Sequence, residues 1–221
     1  MIHIDKLVRS KRKTLSLIVE TDGTLTVRAP LRMKAADIQR FIEQKADWVK
    51  RMQARAQKEA IRSPQFLEGE TFPYLGKQIP LRLVQDGQPA LVFIEDSFRL
   101  AKSAQNRAAS VFEAWYKQQA RAVLVERVHF FARKYAFEME KVRISSARTR
   151  WGSCSAKKTL SFTWRLVMAP PEVVDYVVVH ELCHLRELNH FPSFWAQVEA
   201  ILPDYKSCQK WLKDNGGKLR L

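Results

Sequence analysis

The sequence predicts an α+β protein in two parts. Residues 1–104 read as a basic, β-rich N-terminal region with one long helix, and residues 105–221 as a region with a short sheet and a buried helix carrying H-E-x-x-H. Three observations predict this. Short apolar/polar alternations bounded by turn residues recur up to residue 100 and again over 141–168. Helical periodicity holds over 34–60 and 108–134. The run from Val173 to Leu188 is apolar nearly all round and starts at Ala169-Pro170-Pro171-Glu172, which puts proline in a first turn and an acid near the positive helix end.

Each element has its own signal. Over 13–29, K-T-L-S-L-I-V-E and L-T-V-R-A alternate on either side of T-D-G-T, the pattern of a hairpin that Pro30 ends. In 34–60, Ile38, Phe41, Ile42, Ala46, Val49 and Met52 recur at helical spacing. Lys45, Lys50, Arg51, Arg55 and Lys58 take the other faces, as on a solvated surface. Strands follow from Glu68 to Leu100, with a tight turn at Q-D-G-Q, 85–88. The polar stretch A-K-S-A-Q-N-R, 101–107, marks the domain boundary. A second helix over 108–134 is carried by Val111, Trp115, Val123, Val128 and Phe131, and His129 on it reads as a packing or surface residue. Residues 141–168 return to strands around a turn at Ala156–Lys158. V-V-D-Y-V-V-V is β-branched and by propensity a strand, but the Pro-Pro-Glu start and the histidine spacing favour a helix. Short helices through Phe194–Ile201 and Tyr205–Leu212 close the chain.

Composition narrows the class. A chain of 221 residues, 46% hydrophobic and 28% charged, is globular rather than disordered. The N-terminal residues lack the apolar stretch of a signal peptide, and no apolar run approaches the ~18 residues of a membrane span. Cys154, Cys183 and Cys208 have no framework spacing, which suits a reducing, cytoplasmic setting. Of the net charge of +15, residues 151–221 carry only +2, so the first 150 residues are strongly basic and could attract nucleic acid, nucleotides or acidic protein.

Three of the five histidines fall within His180–His190, H-E-L-C-H-L-R-E-L-N-H. His180 and His184, four apart, share a helix face about 6 Å apart along the axis, a spacing that lets both imidazoles reach one zinc ion. A catalytic zinc needs a third protein ligand. At 100° per residue His190 points away from His180 on a continued helix, so the helix must end near Leu188, with Asn189 able to turn left-handed. Glu187, on the same face as both histidines, is the rival ligand or an outer-shell anchor. Glu181 stands where a metallopeptidase keeps its general base. Zinc chemistry here acidifies a water towards a pKa of ~7, Glu181 moves the proton, and Arg148 or Arg150 on the preceding strand could support the oxyanion. Cys183 reads as a small buried residue; Cys154 is a weaker candidate for chemistry.

R-W-G-S-C-S (150–155), W-R-L-V-M-A-P-P (164–171), D-Y-V-V-V-H-E-L-C-H-L (175–185) and N-H-F-P-S-F-W (189–195) together resemble the YgjP-like metallopeptidase family, a relative of the SprT-like and WLM zincins. The resemblance implies a zincin-like domain over 105–221, with His180, His184 and His190 binding one zinc per chain, Glu181 as acid/base, and peptide or protein substrates. The histidine spacing equals that of metzincins, but Glu187 stands where those have glycine and no methionine follows Met168, so the chain is not read as one. Two other functions fit the same residues: a metal-dependent nucleotide phosphohydrolase, and a nucleic-acid-associated module with a structural zinc. Closed structural sites favour cysteine and four protein ligands, which three histidines do not provide.

Overall fold

The computed structural model describes residues 2–20, 22–61, 64–85 and 89–221. The turn expected at Gln85–Gln88 therefore falls mostly outside the described residues. The chain divides into two units, Met1–Pro64 and Gln65–Leu221.

In the first unit, β1 (Lys6–Ser10), β2 (Ser16–Val19) and β3 (Leu25–Pro30) form a sheet in the order β1-β3-β2. The expected hairpin is β2 with β3, antiparallel, closed by Glu20 N donating to Thr24 O at 2.8 Å and by Gly23 at φ 88°. β1 pairs in parallel with β3 and was not expected. Its five residues, K-L-V-R-S, alternate too weakly to announce a strand. The single helix expected over 34–60 is two, α1 (Ala35–Gln44) and α2 (Ala46–Ile61), broken at Lys45, whose φ −105° and ψ 13° leave the helical region. Both helices still serve one small core, where Ile38, Ile42 and Val49 meet Leu25, Val27 and Ala29. Lys45, Lys50 and Arg51 are exposed as expected; the side chains of Arg55 and Lys58 lie outside the described residues.

The second unit holds the larger core. Strands β4 (Thr71–Tyr74), β5 (Lys77–Val84), β6 (Leu91–Ile94) and β7 (Ser97–Ala101) form a sheet in the order β4-β5-β7-β6. A 3-10 turn, Lys102–Arg107, leads into α3 (Ala108–Lys134). The boundary expected at 104/105 falls inside this unit. Ala101, Ala104 and Ala108 are buried, and Phe72 and Phe98 of the sheet meet Phe112 of α3 at ring distances of 4.4 and 5.1 Å. α3 buries Phe112, Tyr116, Ala120, Leu124 and Val128, a stripe repeating every fourth residue; Val111, Trp115 and Val123 flank it half-buried, and His129 is exposed.

Then come β8 (Lys141–Ser145), β9 (Gly152–Cys154) and β10 (Thr159–Thr163), ordered β8-β10-β9, with the expected turn before β10. The strand expected to run on to Met168 stops at Thr163, and Trp164–Met168 is a 3-10 turn buried almost throughout. Val173–Cys183 is helical despite its β-branched residues: α4 (Pro171–Cys183) has proline at its start, and Val173, Val174, Val177, Val178, Val179 and Leu182 are buried in the core. Burial of a helix apolar all round outweighs a strand propensity whose whole scale spans only ~1 kcal/mol per residue. α5 (Pro192–Ile201) and α6 (Tyr205–Asn215) complete the chain. Among the described residues no helix is long and apolar enough to cross a membrane.

Candidate metal centre

α4 carries His180 and Glu181, and His184 caps its C-terminus in the αR conformation, so the two histidines remain one turn apart with ring centroids 4.9 Å from each other. The helix ends five residues before the expected Leu188. The N–H groups of Leu185 and Arg186 donate back to Leu182 and Cys183 carbonyls at 3.0 Å, a tight closing turn. Asn189 is not among the described residues with positive φ, so the return of the chain does not use a left-handed asparagine. The loop brings His190 back over α4, where its Nε2 lies 3.1 Å from His180 Nε2.

Three imidazole nitrogens thus converge within 4.8 Å of one another. Ligands at ~2.0–2.1 Å around a tetrahedral ion lie about 3.3 Å apart, close to the His180–His190 separation. At His180 and His190 the neutral imidazole that a metal needs is favoured. Burial, aided by His184 and His190, holds the His180 pKa down to about 3. Burial, then His184, also lowers His190. The donor set and the His180–His190 distance fit zinc. Phe194, fully buried, lies under the group, 4.9, 4.5 and 4.8 Å from the rings of His180, His184 and His190. Trp195 stacks on His190 at 5.7 Å.

Glu187 is not in the convergent group among the described residues. Its carboxylate accepts from Asn189 N and Ser193 Oγ, both at 3.3 Å. Its backbone carbonyl lies 3.0 Å from His184 Nδ1. With the proton on Nδ1 donated to that carbonyl, Nε2 of His184 is left as the free lone pair.

Glu181 is 5% exposed, and burial pushes its pKa up to about 7, with Arg150 opposing. The reason it fits is Gly152 of β9. A Cβ there would overlap Glu181 Oε1 and approach Cγ to 2.6 Å and Cδ to 2.7 Å. Sequence reasoning passed over Gly152, although an isolated glycine inside a strand pattern signals close approach. Arg148 and Arg150 are exposed and sit in the loop between β8 and β9, not on a strand. Arg150 opposes the rise in the Glu181 pKa, whereas Arg148 helps to lower those of Glu113 and Arg165. Cys183 is fully buried, its thiol pushed up to about 11 by burial. Burial, and then Glu181, raise the Cys154 thiol as well, which makes it a poor nucleophile.

No curated protein sequence matches the chain. One solved structure, the metallopeptidase zymogen abylysin of Pyrococcus abyssi, aligns at 20% identity and a TM-score of 0.37, covering 41% of this chain and 93% of that one. The pattern of the YgjP-like metallopeptidase domain matches residues 13–215, nearly the whole length, and the chain belongs to that family.

Proposed function

We propose that the protein is a zinc-dependent peptidase that binds one zinc per chain through His180, His184 and His190 and uses Glu181 as its acid/base. The observation that carries this reading is the convergence of three imidazole nitrogens beside a carboxyl group buried against a glycine. Zinc, when bound, supplies Lewis acidity to a carbonyl oxygen and acidifies a water towards a pKa of ~7. Glu181 accepts the proton of the attacking water and delivers it to the departing amine, a double duty suited to a carboxyl whose pKa lies near neutrality. Glu187 orients His184 through its carbonyl. Arg150, which opposes the rise in the Glu181 pKa, is the better candidate of the two arginines to face developing negative charge.

Peptide or protein substrates follow from the family. Nothing in the family match supports the nucleic-acid or nucleotide partner that the basic charge suggested. No feature of the site favours phosphohydrolysis or a closed structural zinc. Three free cysteines suit work in the cytoplasm. The test is Glu181→Gln. It should keep its zinc and lose about 10²–10⁴-fold in hydrolysis of an unfolded protein, measured by gel and by peptide release. Wild-type activity in that variant contradicts the mechanism, and phosphate release from nucleoside triphosphates by wild type would point to the phosphohydrolase.

A further inference from the structure

We infer that Arg186 is a positioning residue for the metal centre, pinning the turn after α4 so that His184 and His190 face His180. The inference rests on the reading of the three histidines as metal ligands.

Arg186 lies between the two loop-borne ligands in sequence but turns away from them. Its Nη2 donates to the carbonyls of Tyr135 and Ala136 at 2.7 and 3.0 Å, and its guanidinium stacks over the Phe137 ring at 4.2 Å. Tyr135 is the C-cap of α3 and Ala136 has φ 51°, so these carbonyls belong to the helix end, where a cation is favoured. Phe137 is buried, which makes that end a firm support. One guanidinium thus ties the exposed 184–190 turn to the end of the longest helix of the unit. The next residue, Glu187, provides the carbonyl that His184 Nδ1 addresses, and its carboxylate holds Asn189 and Ser193 on either side of His190. Arg186 and Glu187 therefore fix the loop from two directions, one towards α3 and one towards α5. Without the α3 tie, the Glu187 carbonyl that meets His184 Nδ1 is held only by the turn's own bonds to α4 and by the Glu187 carboxylate contacts. A lysine can replace the charge but not the planar stack on Phe137.

The experiment compares wild type, Arg186→Ala and Arg186→Lys for zinc affinity by chelator competition and for the d–d absorption of the cobalt(II)-substituted protein. Arg127→Ala serves as control, because it breaks the bidentate Arg127–Asp175 pair between α3 and α4 away from the loop. We expect Arg186→Ala to bind zinc about 10–100-fold more weakly, with a weaker and shifted cobalt band. Arg186→Lys should fall between Ala and wild type. Arg127→Ala should melt earlier with an unchanged cobalt band. Wild-type zinc affinity and an unchanged cobalt band in Arg186→Ala, or in Arg186→Lys should Ala not fold, overturn the inference while leaving the metal site intact. Wild type that binds neither metal overturns the site itself.

Discussion

The candidate site joins two regions built in opposite ways. Its helical half, His180 and Glu181 on α4, is set in the core, with Glu181 only 5% exposed and Phe194 fully buried beneath. Its loop half, residues 184–190, is mostly exposed and is held by a backbone turn onto α4, by the contacts of Arg186 and Glu187 and by the packing of His184 and His190 on Phe194. The difference teaches how labour is divided. The core fixes Glu181 and His180, and sets their pKa values chiefly through desolvation. The loop delivers His190, the exposed member of the three. Damage to the helical half should show in stability and in the chemical step, and damage to the loop half in metal affinity.

Substitutions can break or sharpen this contrast. The largest effect is expected from Phe194→Ala, which removes the buried ring touching all three histidines. It should cost about 3–5 kcal/mol in denaturant unfolding and loosen the zinc as well. Gly152→Ala comes next. Its methyl must displace the Glu181 carboxyl, so kcat should fall about 10²-fold while zinc content stays at the wild-type level. A Gly152→Ala enzyme with normal kcat would show that Glu181 needs no such close seat. Arg150→Ala should be mildest, a loss in kcat/KM of under about 10-fold with no change in melting temperature, because the residue is exposed and screened.

The sequence announced the parts whose signals are local. His180, His184 and His190 could be found by spacing, and α4 by its proline start, even against the strand propensity of its valines. What it hid depends on distant partners. β1 is a strand because β3 lies beside it, twenty residues on. The 101–107 stretch reads as a polar linker until Ala104 is seen under the aromatic cluster. Glu187 could be placed on the right helix face and still stay out of the convergent group, because the helix stops at Cys183 and its carboxylate turns to Ser193. Gly152 was written in the strand pattern, but only its contact with Glu181 shows why it is glycine.

Metal content by mass spectrometry, on wild type and His190→Ala purified without chelator, tests the central claim most directly. Wild type should carry about one zinc per chain, and the variant should hold it weakly or not at all. A wild-type protein that takes up no zinc even when it is supplied, or a His190→Ala variant that holds zinc as tightly as wild type, would contradict it.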